Sequence, residues 1–384
     1  MAIISESELP ELIEKNKFIY TEYFDKEFVR CLINNLLAPI DETYFRSRFV
    51  GFRNLPERNN PDRPLIYASN HSGMAFPWDA IIFGCGLYKK HKYDEKQLMR
   101  ALSAPMLSQS RLMNPFMLQD AWKRTGCIDA TTLNFETMMH YKEADILIYP
   151  EGVPGIGKGF NNKYKLQRFS TSLIRMSIKY KTDIIPYATI NGEYINPFVY
   201  SFKGLNKFAI KIGIPFIPIG IITTLMLVQP WIFYSAWPAK LHFIIGERLK
   251  PYEMVDKPFD ELTRADYEAI RDKIHAEMQI QMNQAVALWG KKPFHIKEFV
   301  SRLFKNIKKF PMNMPFGWPI AFAEFERQWK KRKPADVNVK FSLWHFFKYI
   351  FLNPHTIFYY VPLIGWLPLL IRGYRGHKDF SVKG

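Results

Sequence analysis

The chain of 384 residues carries 53 Lys and Arg against 36 Asp and Glu, a formal net charge of +17, with 48% hydrophobic and 16% aromatic residues. Such a length buries a sizeable core in one large domain or two smaller ones, and the cationic excess selects an anionic partner, nucleic acid or a membrane surface. Three cysteines, Cys31, Cys85 and Cys127, lack metal or disulfide spacing and point to a reducing compartment.

The opening "MAIISESELPELIEKNK" has an early Glu and no apolar core, so no signal peptide is expected. A helical region is predicted from about Leu9 to Leu37, then strand-like runs at Tyr44–Phe52 ("YFRSRFVGF") and Pro64–Ser69 ("PLIYAS"). The stretch "SNHSGMAFPWDA" (Ser69–Ala80) begins where the second run ends, the strand edge at which α/β sheets place ligand-binding residues. His71 falls on that loop. Pro77 suits the first turn of a helix, which brings Asp79 back toward the imidazole to hold one tautomer while the other ring nitrogen accepts a proton. Ser72 is too close in sequence to act as a Ser–His nucleophile, so the pair suits direct activation of a substrate hydroxyl. The bland alternative is a loop histidine beside an acid that merely stabilises the helix N-terminus.

Further strand-like runs are Ala101–Met106 ("ALSAPM") and Asp145–Tyr149 ("DILIY"), separated by a helical pattern at Leu133–Glu143. "YPEGVPGIGKGF" (Tyr149–Phe160) follows, with Gly152, Gly155, Gly157 and Gly159 around Lys158. Gly152–Lys158 fits G-x-x-x-x-G-K, yet Gly159 stands where a nucleotide-binding loop needs a magnesium-binding hydroxyl, and Glu151 would repel a triphosphate. A helix is predicted over Gln167–Lys181, then strands at Asp183–Ile190, Phe208–Gly213 and Leu241–Glu247. This alternation predicts an α/β fold with a mostly parallel central sheet flanked by helices. A long helix, Arg264–Trp289, follows a capping box at Thr263–Asp266. Composition divides the chain into an N-terminal helical region (1–43), an α/β domain (44–289) and a helical, aromatic, basic C-terminal appendage (290–384).

Two tracts without charge stand out, Ile214–Ala239 and Tyr349–Ile371, of 26 and 23 residues. Both reach bilayer-spanning length, but each is interrupted by prolines, so monotopic insertion or an acyl-chain groove fits better than a span. Between Lys291 and Lys333 there are 12 Lys/Arg against 3 Glu. Within that stretch Ile296, Phe299, Val300, Leu303, Phe304 and Ile307 share one helical face and Lys297, Arg302, Lys305, Lys308 and Lys309 the other. That is the pattern of an interfacial membrane helix or of an ordinary surface helix. Its aromatic face and the neighbouring apolar tracts favour lipid over nucleic acid.

Four blocks in order, "NHSGMAFPWDA", "YPEGVPGIGKGFNNKYKLQRF", "IIPYATINGEYINP" and "WPAKLHFIIGERL", resemble the glycerolipid/lysophospholipid acyltransferase superfamily, especially a bacterial branch similar to monoacylglycerol and diacylglycerol acyltransferases. The resemblance runs from about Tyr44 to Tyr252. It implies O-acyl transfer from a thioester, acyl-CoA or acyl-carrier protein, to a glycerolipid hydroxyl, with no other cofactor. His71 would be the general base and Asp79 its orienting carboxylate. Asn70, Ser72 and Gly73 beside the base, and Glu151, Gly152, Lys158 and Arg168 along the glycine loop, are the implied substrate-binding residues. Backbone N–H groups of that loop would stabilise the oxyanion. An anionic membrane on its cytoplasmic side is the implied location, with peripheral or monotopic attachment.

The departures are informative. Seven residues, Ser72 to Trp78, separate the histidine from the aspartate where the common pattern has four. Val153 follows the "PEG" element where an arginine is usual, and "GCIDATT" (Gly126–Thr132) also lacks its arginine. Those arginines are expected to grip a phosphate. Their absence shifts the expected acceptor toward a partial glyceride or lysophospholipid, although Lys158, Lys163, Lys165 and Arg168 are available to compensate. A phosphatidate-forming enzyme and a catalytically silent lipid-binding protein on the same fold remain the alternatives.

Overall fold

The computed structural model describes residues 7–72, 76–105, 121–202, 204–206 and 217–375. Seven strands form one sheet: β1 (Arg48–Val50), β2 (Ile66–Ser69), β3 (Met99–Ser103), β4 (Ile128–Asp129), β5 (Asp145–Ile148), β6 (Ile184–Ile190) and β7 (His242–Ile245). Their order is β1-β7-β6-β2-β5-β3-β4. All neighbours are parallel except β6 and β7, so the predicted mostly parallel α/β sheet is present. The central strand β2 lies in register with β6 (Ile66 opposite Ile184) and β5 (Ile66 opposite Ile146). Its carboxyl end therefore opens between two strands whose own ends carry polar residues.

Alternation along each strand sorts the core into two layers. Ile66, Ile146, Ile184 and Ile190 pack with the helices Thr132–His140, Ser172–Tyr180 and Arg264–Trp289. Tyr67, Leu147, Ile185 and Tyr187 face the opposite layer, beneath the helix Trp78–Lys90. The same layer contains Phe28 and Leu36 from the N-terminal helices and Trp318, Phe325 and Tyr349 from the C-terminal segment. Packing thus runs across both composition boundaries.

The predicted strand at Tyr44–Phe52 is only partly a strand. Helical structure continues through Phe45, with wide π-helical turns at Ile33–Leu37 and Asp41–Phe45 on either side of Pro39, which has no N–H to give to a regular helix. Arg46 then turns left-handed (φ 50°), and its guanidinium donates to the carbonyls of Tyr44, Pro238 and Phe294, leaving Arg48–Val50 as the strand. The two-residue β4 lies within "GCIDATT" and has no strand-length hydrophobic signal. The predicted strand at 208–213 lies outside the described residues. The long helix occupies Arg264–Trp289 behind the expected capping box.

The proline-interrupted tracts form short pieces. The first contains the helix Ile221–Val228 and the turn Pro230–Tyr234; the second contains Pro354–Tyr360 and the helix Trp366–Arg375, preceded by Leu343–Leu352. No helix among the described residues is long and apolar enough to cross a membrane.

Candidate active site

Two elements converge on His71. It lies two residues past the end of β2, and the helix Trp78–Lys90 begins after Pro77, placing Asp79 in its first turn. His71 Nδ1 lies 2.9 Å from Asp79 Oδ2, and the same oxygen accepts the backbone N–H of Ser72 at 3.0 Å. A carboxylate only accepts, so Nδ1 carries the proton and Nε2 presents its lone pair. Asp79 is fully buried while the His71 side chain keeps 15% exposure. The seven-residue spacer is accommodated by anchoring its end: Phe76 and Trp78 are buried, and Trp78 Nε1 donates to the carbonyl of Tyr234. Gly73 lies outside the described residues.

The glycine loop approaches from β5. Glu151 is buried beside His71, accepting the backbone N–H of His71 at 3.0 Å on one oxygen and that of Gln167 at 2.5 Å on the other. It ties the loop of His71 to that of Gln167. Burial pushes its carboxyl pKa up, while Lys158 and the two N–H donors oppose that rise. Gly152 takes φ 57° and ψ −146°, a combination that side chains rarely allow. Gly155 is glycine for space: a Cβ there would stand 2.6 Å from Glu151 Cβ and 3.3 Å from His71 Cβ. The N–H groups of Gly152, Gly155, Gly157, Lys158 and Phe160 already donate to carbonyls, so these five are committed to holding the loop.

Lys158 is buried and its Nζ lies 3.0 Å from Glu193 Oε1. Burial alone would push the ammonium pKa down, but Glu193 and Glu151 together push it up, keeping the charge inside the protein. Arg168 is not brought to the site. Its guanidinium lies on the surface, 69% exposed, 3.3 Å from Glu268 on the long helix. Asn70 is fully buried and uses its amide on strand β6, donating to the carbonyl of Thr189 and accepting its N–H. Ser72 is buried with its hydroxyl over Gly192, where a Cβ would fall 1.9 Å from Oγ. That hydroxyl has no hydrogen-bond partner among the described residues.

Several contributors were not singled out from the sequence. The Tyr149 ring stacks on the His71 imidazole, centroids 4.3 Å apart and planes 26° from parallel, and its hydroxyl lies 3.2 Å from that of Tyr187. Tyr149 lies in the quoted glycine-loop stretch, but its stacking partner is visible only in three dimensions. At the end of β6, Asn191 accepts from Tyr164 Oη, and Glu193 accepts the N–H of Tyr164 while pairing with Lys158. Both residues sit in "IIPYATINGEYINP", one of the four matching blocks.

Residues 46–190, which carry this histidine–aspartate pair at the carboxyl end of a central parallel strand, match the family model described as Acyltransferase. Over that segment the chain is similar to the Acyltransferase family. The matched segment contains His71, Asp79 and the whole glycine loop. An uncharacterized protein of Mycobacterium bovis is 26% identical over 197 residues, 51% of this chain and 51% of its own length. An uncharacterized protein of Mycobacterium leprae is 25% identical over 197 residues, 51% of this chain and 49% of its own. The chain therefore spans about half the length of the curated relatives it matches.

Proposed function

We propose that this acyltransferase moves a fatty acyl group from a thioester, acyl-CoA or acyl-carrier protein, to a hydroxyl of a partial glyceride or lysophospholipid, at a membrane on its cytoplasmic side. The observation that carries the reading is the His71–Asp79 pair: Nδ1 is fixed on Oδ2 at 2.9 Å and Nε2 is left to act as base. In the step this supports, Nε2 removes the acceptor's hydroxyl proton and the oxygen forms a bond to the thioester carbonyl carbon. The C–S bond then breaks, and the leaving thiolate takes the proton from the imidazolium. Direct attack requires no covalent enzyme intermediate, and Ser72, buried beside the pair, makes its observed bond to Asp79 through its backbone.

The acceptor class is supported by where the cations lie. Lys158 is held by Glu193 and Arg168 points to Glu268, so no arginine fork faces the base, and the remaining loop cations, Lys163 and Lys165, are exposed single ammonium groups. The test is purified protein with acyl-CoA or acyl-carrier-protein donors and a panel of lysophospholipids, lysophosphatidate and partial glycerides, with products identified by mass. His71→Ala is expected to lower kcat by about 100-fold or more while sparing the fold. Unchanged transfer by that variant would refute the role of the base, and a preference for lysophosphatidate would overturn the acceptor assignment.

A further inference from the structure

The two uncharged tracts, separated by more than a hundred residues, join into one surface. Trp366 Nε1 donates to the carbonyl of Leu227 at 2.9 Å, and the N–H of Leu363 donates to that of Val228 at 2.8 Å. Phe316 extends the join, its ring 5.4 Å from Trp231, 5.7 Å from Phe346 and 4.6 Å from Tyr360. The side chains pointing away from these contacts are large and exposed: Ile221 at 75%, Leu227 at 65%, Trp344 at 71%, Phe351 at 85% and Ile364 at 74%. Along Leu343–Leu352, Phe346 and Tyr349 enter the core while Trp344, Phe347 and Phe351 occupy the open face. Each helix thus has two apolar sides, one used in packing and one not. Soluble monomers seldom carry a contiguous apolar face of this kind unless something covers it.

The surface reaches the glycine loop. The N–H of Phe160 donates to the carbonyl of Val199, and its ring lies 5.7 Å from Phe198. Tyr200 and Ile219 exchange backbone hydrogen bonds immediately before the helix Ile221–Val228. Phe198, Tyr200 and Ile219 are themselves exposed, so exposed apolar side chains lead from the glycine loop to the helix that carries Leu227.

Charge selects what covers it. Lys348 is exposed on the same helix as Trp344 and Phe351, Arg372 is exposed at the far end, and Lys163 lies 4.6 Å over the Phe160 ring at the glycine loop. On the helix Ile296–Lys305, exposed Val300 and Phe304 stand beside exposed Lys297 and Lys305. Of the acids in the C-terminal segment, Glu298 pairs with Lys240, Glu324 with Arg327 and Glu326 with Lys330, and Asp336 alone is exposed without an ion pair among the described residues. An apolar face fringed by uncompensated lysine and arginine complements an anionic lipid surface, with apolar side chains among the acyl chains and ammonium groups at the phosphates.

We infer that the surface built jointly from residues 198–202, 217–228 and 343–372 seats the protein on an anionic membrane, with the glycine loop at its edge so that a lipid acceptor reaches His71 without leaving the bilayer. Lipid contact is therefore shared between the α/β domain and the C-terminal segment, rather than confined to the latter. The second part of this inference rests on the acyl-transfer reading; the first does not.

Point substitutions are the appropriate probe, because truncation at 290 would remove Trp318 and Phe325 from the core. Vesicles of phosphatidylcholine alone, or with about a third phosphatidylglycerol, are floated with the full chain carrying Leu227→Glu or Phe351→Glu. The control is Ile280→Glu, exposed on the long helix that covers the other face of the sheet. Wild type and control are expected to float with the anionic vesicles, and each belt variant to lose at least about tenfold in partitioning. Transfer to an acceptor embedded in vesicles falls in parallel, while transfer to a water-soluble short-chain acceptor is unchanged. Equal flotation of belt variants and wild type would overturn the inference. So would a lipid-free dimer that Leu227→Glu dissociates, since a second copy would then cover the face. If His71→Ala leaves transfer intact, the catalytic reading fails while flotation still decides the surface.

Discussion

Glu151 separates two roles for the glycine loop, and Glu151→Gln discriminates between them. Its two carboxylate oxygens accept the N–H groups of His71 and Gln167 at 3.0 and 2.5 Å in a buried site. A glutamine retains one acceptor oxygen. Its amide nitrogen then faces the other N–H, so one charge-assisted bond is lost and a buried donor is left unpaired, together about 3 kcal/mol. With an unfolding entropy of roughly 2.1 cal/mol/K per residue, the 384-residue chain should lose about 4 °C in Tm. Because the His71 N–H is one of the two donors, the base should also shift. We expect kcat to fall about tenfold or more with the acceptor KM changed less than twofold, since a misplaced base costs the transition state and spares binding. Thermal melts and steady-state kinetics on the same preparations measure both. A variant with wild-type Tm and kcat but a tenfold higher acceptor KM would refute this reasoning and make Glu151 an acceptor ligand.

Two further outcomes follow from local geometry. Gly192→Ala places a methyl group 1.9 Å from Ser72 Oγ and 3.1 Å from its Cβ, which should cost about 1–3 kcal/mol of stability by overpacking; adding Ser72→Ala should restore part of it, and a double variant as unstable as the single one would place the strain elsewhere. His242 has its pKa pushed down to about 4, by burial first and then by Lys240, His295 and Arg48. An unfolded imidazole takes its proton near the ordinary 6.5 while the folded one stays neutral, so this contribution is complete above pH 6.5 and is lost as pH falls toward 4. His242→Gln should flatten that part of the Tm–pH curve, where at most about 3 kcal/mol is involved; identical curves for the two proteins would refute the assignment.

Much of the candidate site is local and was therefore legible. A hydrophobic run ending at Ser69, a histidine two residues on and a proline opening the next helix together specify that His71 and Asp79 meet, and they do so at 2.9 Å. The alternation of strands and helices specified the sheet for the same reason, since period-two and helical patterns are written in consecutive residues. The capping box at Thr263–Asp266 is likewise a matter of adjacent side chains.

What the sequence did not disclose depends on partners far along the chain. Lys158 looks like a substrate cation until Glu193, on the turn after β6, is brought within 3.0 Å and makes it part of the interior. Glu151 looks like a ligand until its oxygens are found on two backbone N–H groups, one of them 80 residues away. The two apolar tracts were each evident from the absence of charge, but periodicity assigns residues to a face of one helix and cannot say which faces of separate helices coincide. Only tertiary packing, through contacts such as Trp366 on Leu227, brought the two tracts together.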